Sequence, residues 1–379
     1  MHIEPFKVER WLDRYENCVE FNLTSTSLPP FTLRELIEVT GSDEQEVLAA
    51  LLGKRLNYGA IRGSSAYREG VAALYETVSP EDVLSTHGGV GAVDLAIRAL
   101  VDRGDHVVSV LPAYQQMYSI PESIGASVER VFLRREQGFA LDMDELESRL
   151  TQRTKAVCLI NPNNPTGQVL PNETLRRLAA LADERGFYLI CDESYRGLTN
   201  DCASVADICT NAVSLGSMSK SFALAGLRLG WLATRNAAAM EAVITHRDYC
   251  IISCASLDEH VASLALAKGN VDRVRARNIE MVRRGTEVLR RWLDGEPRVS
   301  CLPPAAGTIA LVYPLVYPAV GVGGMEQVCE ALVREKSVLL APGECFEMQG
   351  CFRVGCGRET PQRVEAGLRR VSEFLRDRV

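Results

Sequence analysis

The chain carries six lysines against 36 arginines, so each lysine amine invites a chemical reading. Lys220 lies in SLGSMSKSFALAGLRLGW (214–231), just past an apolar run. Ser217 stands three residues before it, Ser219 one before, and Arg228 eight after, between Gly226 and Gly230. An amine beside hydroxyls and a guanidinium can form a Schiff base with a carbonyl cofactor while its neighbours hold a phosphate. The same residues also suit a solvated lysine in a polar loop. Three further patterns bear on that choice. NPNNPTG (161–167) follows the run AVCLIN; it reads either as turn punctuation or as two asparagines on a ligand-facing loop. DESY ends the next apolar run with Asp192 and Tyr195 three residues apart. That carboxylate can pair with a protonated ring nitrogen, and that phenol can donate to a ring hydroxyl. THGGVGA (86–92) sets glycines before a helical pattern, where backbone N–H groups suit a phosphate, although a plain tight turn needs the same residues.

These four patterns depend on the elements that carry them. From about Asp82 to Arg235, short apolar runs alternate with amphipathic ones. Strands are predicted at 82–86, 106–111, 127–133, 156–161, 188–192, 212–216 and 230–234, with helices at 91–102 and 173–186. Several of the runs are apolar on both parities, as strands covered on two faces are. The alternation reads as an α/β unit with a largely parallel sheet, and all four patterns fall just beyond strand ends, where ligands bind in such sheets. Residues 257–293 read as one long arginine-rich helical stretch. Shorter strands follow at 308–315, 337–342 and 351–356, alternating with two helices. The expected division is an N-terminal segment (1–35) packing on the small domain, a large domain (36–256), a helical connection (257–295) and a small α+β domain (296–379).

Composition narrows the function classes. Hydrophobic residues make up 46% and charged residues 24%, as in a globular protein, and a net charge of −7 argues against a nucleic-acid surface. The apolar stretch Thr308 to Met325 is interrupted by Pro314 and Pro318, so no membrane span is expected. Twelve cysteines without a CxxC pair or an apolar leader suggest reduced, mostly buried thiols in a cytoplasmic protein, with no metal site.

Together these motifs resemble the fold-type I pyridoxal-phosphate (PLP) enzymes, specifically the class I/II aminotransferase family, in order and spacing over nearly the whole chain. The resemblance implies a large domain with a mostly parallel seven-stranded sheet sandwiched by helices, plus a smaller α+β domain. It implies pyridoxal 5'-phosphate bound to Lys220, with Ser217 and Arg228 on the phosphate, Asn164 and Tyr195 on the ring hydroxyl, and Asp192 on the pyridine nitrogen. Lys220, Asp192 and Tyr195 are then the catalytic set. Tyr114, in PAY (112–114), is the expected stacking ring, and Gly89 and Val90 fall at the phosphate loop, where Val90 offers only its backbone. Arg353, in FRVG (352–355), is expected to bind the substrate carboxylate beside Asn164. Tyr58, in NYGAIRG, matches a tyrosine that reaches the neighbouring subunit's cofactor, which implies a homodimer. His87 is expected to orient the phosphate loop, and Arg196 either touches substrate or forms a salt bridge. The implied reaction moves an amino group between an L-amino acid and a 2-oxo acid. THG, PAY and EQGFALDMDEL (136–146) also resemble the capreomycidine-synthase-like branch, which acts on a guanidino amino acid, so elimination or cyclisation is the alternative. A ligand-sensing regulator is disfavoured, because only some thirty to forty residues precede the first helical segment. Substrate selectivity is expected from Ser27 to Pro29 and from residues near Tyr58.

Overall fold

A computed structural model describes residues 2–198, 202–315 and 324–378. Residues 316–323, within the apolar stretch noted above, lie outside the described residues.

Seven strands form the large sheet: β2 (Val83–Thr86), β3 (His106–Leu111), β4 (Ser127–Phe132), β5 (Thr154–Ile160), β6 (Tyr188–Asp192), β7 (Ala212–Ser217) and β8 (Gly230–Ala233). The order is β2-β8-β7-β6-β5-β3-β4. Only β8 runs antiparallel to its neighbours; the others pair in parallel. The period-2 pleat explains why these strands are apolar on both parities. Val107, Cys158, Ile190 and Leu215 face a core shared with Ala92, Ala96 and Ile97 of the helix Gly88–Leu100. Val108, Val157, Leu189 and Cys191 face the opposite core, with Leu175 and Leu178 of the helix Asn172–Arg185. Fully burying one such aliphatic side chain contributes about 1.5–3 kcal/mol. A sheet covered on both faces follows directly.

The remaining strands complete a second body. A four-stranded sheet has the order β12-β13-β10-β9, where β9 is Val299–Cys301, β10 Ile309–Pro314, β12 Ala341–Pro342 and β13 Phe352–Gly355. The strand expected at 337–342 is in fact two. Val338–Leu339 (β11) pairs in parallel with Phe21–Asn22 (β1), whereas Ala341–Pro342 pairs antiparallel with β13. The chain changes partners at Leu340, whose carbonyl accepts from Trp11 Nε1 at 2.8 Å. Trp11, Phe21 and Leu23 share one core with Leu339, Phe346, Phe352 and Phe374.

The helix expected over 257–293 is also interrupted. Ser256–Leu266 and Asn270–Gly295 are separate helices. Ala267 is extended, Gly269 takes φ +82°, and Asn270 Nδ2 donates to the Leu264 carbonyl at 2.8 Å, so the first helix ends before the second begins. None of the described helices is long and apolar enough to cross a membrane.

Two glycines set how closely the layers approach. Gly216 lies opposite Trp231 across β7 and β8, and a Cβ there would sit 2.0 Å from the indole. A Cβ on Gly230 would sit 2.5 Å from the Gly88 carbonyl carbon, where the helix Gly88–Leu100 starts. Overpacking a filled site costs about 1–3 kcal/mol. Gly216→Ala is therefore expected to lower unfolding stability by about that amount in chemical denaturation, and Trp231→Leu in the same chain to recover part of the loss.

Candidate active site

Most of the residues singled out in the sequence converge on one cavity of about 330 Å³ between the strand ends and the N-terminal segment. At its centre Lys220 Nζ donates to Thr26 Oγ1 at 2.6 Å. Burial, and next the charge of Arg353, lower the Lys220 pKa from 10.5 to about 8, while Asp192 opposes the shift. The amine is thus readily available in its neutral, nucleophilic form.

Asp192 ends β6 and accepts the Ser194 N–H on Oδ1 at 2.9 Å. Burial raises its pKa, against the hydrogen bonding of Ser194 and the charge of Lys220. Tyr195 is buried, its pKa pushed up to about 12 by that burial against the nearby Thr26 hydroxyl, and its Oη makes no well-formed hydrogen bond among the described residues. A phenol kept protonated and left without a partner is a donor awaiting an acceptor.

NPNNPTG divides its two central asparagines by task. Asn163 braces the turn: Nδ2 donates to the Pro112 carbonyl at 3.0 Å, and Oδ1 accepts from Thr166 N at 3.1 Å and Thr166 Oγ1 at 2.7 Å. Asn164 faces the cavity and accepts from Arg353 Nη1 at 2.8 Å. Arg353, on β13, also donates from Nη2 to the Thr24 carbonyl at 2.9 Å and stacks 4.7 Å from the Phe346 ring centroid. Only 2% exposed, it keeps Nε unpartnered. No carboxylate balances it within salt-bridge distance among the described residues, so a buried cation is left for an anionic ligand.

At the other end, the first turn of the helix Gly88–Leu100 has no side-chain cap. A Cβ on Gly88 would lie 3.1 Å from Arg228 Nη2, and one on Gly89 would lie 3.2 Å from both Ser217 Cβ and Ser194 Oγ. These glycines bring backbone N–H groups beside a hydroxyl and a guanidinium, a cradle for a phosphate. Val90 borders the same cavity. Tyr114 does too; its hydroxyl donates to Glu9, and its ring lies 4.6 Å from that of Phe6.

Tyr58 is not in this cavity: it is 75% exposed on this chain. His87 is exposed at the N-cap position of the glycine-led helix. Arg196 pairs with Glu193 at 3.0 Å, stacks 4.4 Å from the Tyr75 ring centroid, and donates to the Leu74 carbonyl at 3.1 Å, which answers its ambiguity in favour of a salt bridge. The sequence reading missed the cavity's N-terminal wall, namely Glu9, Glu16 and Thr24 to Thr26, and also Arg358. The polar run LTSTS was the available signal for the threonines.

The family model for aminotransferase class I and II matches residues 21–371. The chain belongs to this family. Among its relatives is the capreomycidine synthase of Streptomyces vinaceus, 29% identical over 377 residues, covering 97% of this chain and 93% of that one. A PLP-dependent aminotransferase from Streptococcus suis superposes with TM-score 0.94 at 35% identity, covering 100% of this chain and 99% of that one. The PLP-dependent cyclase OrfR superposes with TM-score 0.89 at 26% identity, with the same coverage.

The cofactor of this aminotransferase-family enzyme is pyridoxal 5'-phosphate, and the cavity fits it on its own evidence. The partnerless Tyr195 hydroxyl, the glycine cradle beside Ser217 and Arg228, and the Asp192 carboxylate can meet a phenolate, a phosphate and a pyridinium, while Lys220 can meet the aldehyde. Below about pH 8 Lys220 is an ammonium without a free electron pair; above it the amine is neutral. In cofactor-free protein, the rate of covalent cofactor capture is therefore expected to rise through about pH 8 and level off. Arg353→Gln removes a repelling cation and should move that midpoint upward, as stopped-flow absorbance will report.

Proposed function

We propose that this enzyme is an aminotransferase that moves an amino group between an L-amino acid and a 2-oxo acid through a Schiff base at Lys220. The observation that carries the reading is the joint presence, in one cavity, of an amine with a pKa near 8 and a buried guanidinium with an unused donor. Pyridoxal 5'-phosphate supplies an aldehyde that captures amines and a ring that accepts the electron pair released at the substrate α-carbon.

The chain's own residues do the rest. Arg353 holds the substrate α-carboxylate and is itself aimed by Asn164 and the Thr24 carbonyl. Lys220 is placed to act as the general base that would take the substrate α-proton and hold it for return. Asp192 would keep the pyridine nitrogen protonated, and Tyr195 and Asn164 would donate to the ring oxygen. Ser217, Arg228 and the backbone of Gly89 and Val90 would hold the phosphate, and Tyr114 would limit ring movement by stacking. His87 positions the phosphate turn.

The working form we infer is a homodimer in which Tyr58 of one copy reaches its neighbour's cofactor. Tyr58 is exposed together with Leu52 (87%) and Leu56 (83%), an apolar group that a second copy would cover. We also keep the division into segments 1–35, 36–256, 257–295 and 296–379, and a cytoplasmic setting in which the cysteines stay reduced. The second reading is a PLP-dependent lyase or cyclase acting on a guanidino amino acid; similarity to a capreomycidine synthase over 97% of the chain favours it.

The deciding experiment mixes the yellow holoenzyme with single amino acids without an acceptor. One equivalent of 2-oxo acid per active site, with bleaching of the visible band, supports amino transfer. Ammonia or a cyclic product at many turnovers supports the second reading. Lys220→Ala should abolish turnover and the visible band, and an active yellow variant overturns both.

A further inference from the structure

The roles proposed above leave part of the cavity's charge unused. Arg228 serves a phosphate, Arg353 a carboxylate, Asp192 a ring nitrogen and Lys220 an aldehyde. Of the charged residues lining the cavity, two carboxylates, Glu9 and Glu16, and one guanidinium, Arg358, remain. Both carboxylates come from one element, the helix Lys7–Tyr15 and its C-cap residue Glu16. Seven residues, or two turns, separate them, about 10 Å along the axis, with Val8 and Leu12 lining the cavity alongside.

This helix is fixed in place by contacts that do not involve either carboxylate. It has no side-chain cap of its own; instead Lys7 N–H donates to Gln115 Oε1 at 2.8 Å, and Gln115 Nε2 donates back to the Pro5 carbonyl at 3.0 Å. Trp11 is buried and bonded to the Leu340 carbonyl, and Lys7 pairs with Glu347. Glu9 accepts the Tyr114 hydroxyl, and its charge acts on both Lys220 and Arg353, so it lies nearer the reacting end than Glu16. Neither carboxylate forms an ion pair among the described residues. The unpartnered Arg353 Nε, on the same cavity, fixes where the α-carboxylate end of such a ligand sits.

We propose that Glu9 and Glu16 form the side-chain subsite and select an amino acid whose side chain ends in a cation, either a guanidinium or an ammonium group. The inference rests on the amino-acid reading of the same cavity and holds for either amino transfer or cyclisation. With its carboxylate on Arg353, such a substrate extends its charged end toward the helix, where two carboxylates outweigh Arg358. A substrate ending in a carboxylate meets net repulsion there, and a neutral chain of similar length gains nothing from either glutamate.

The test uses holoenzyme mixed separately with L-arginine, L-ornithine, L-norleucine and L-glutamate, reading kcat/KM from the visible-band change. Arginine or ornithine is expected to exceed norleucine at least tenfold, and Glu16→Gln to reduce that ratio about tenfold, the size of one charge-assisted contact. Glu9→Gln should reduce it as well, but it also releases the Tyr114 hydroxyl, so Glu16→Gln decides. A ratio unchanged in Glu16→Gln overturns the proposal. So does a preference for glutamate that Arg358→Gln abolishes. Conversion of norleucine at the rate of the cations or faster, or of none of the four, overturns this proposal while leaving the proposed function standing on its own screen of amino acids.

Discussion

A buried amine held between a guanidinium and a carboxylate is the constraint on which the rest of this molecule depends. Lys220 is useful only if it sheds its proton readily, and its enclosure together with Arg353 accomplishes that while Asp192 limits the shift. Arg353 in turn is costly to bury. Its charge is tolerated because Asn164 and the Thr24 carbonyl each take one of its donors. Burial first, and neighbouring charges and hydrogen bonds after it, thus hold the three groups at pKa values that none would have in water.

The sheet meets that demand through topology. Parallel neighbours β5, β6 and β7 end on the same side, so Asn164, Asp192 and Lys220 emerge side by side from loops that follow consecutive strands. The antiparallel β8 lets the chain fold back at once, which returns Arg228 beside Ser217 and sets Gly230 against the start of the helix at Gly88. The second body contributes Arg353 from the middle of its own sheet, so the cavity is walled by two cores.

Much of this was legible in the sequence because it is local. Strands apolar on both parities announced a doubly covered sheet, and the spacing of Ser217, Lys220 and Arg228 is a property of one short segment. What escaped was governed by contacts distant along the chain. The helix Lys7–Tyr15 lies within the stretch expected to precede the first helical segment; Gln115 and Leu340, more than a hundred and more than three hundred residues away, fix it in place and so aim Glu9 into the cavity. The break at Gly269 was local but masked by helical periodicity on either side, arginine-rich only after it. The division of 337–342 into two strands depends on which partner each half meets, and periodicity carries no information about partners. The asparagines of NPNNPTG were visible as a pair, but their different duties follow from where Pro112 and Arg353 lie.

The parallel pairing of Phe21–Asn22 with Val338–Leu339 has a consequence for biosynthesis. Once made, Phe21–Asn22 waits for more than three hundred further residues before its partner exists. During that interval the seven-stranded floor has all its segments and can assemble, but the core around Trp11 and Phe21 still lacks Leu339, Phe346, Phe352 and Phe374. A nascent chain stalled before residue 338 would therefore lack the pairing that ties the N-terminal wall of the cavity to the small sheet.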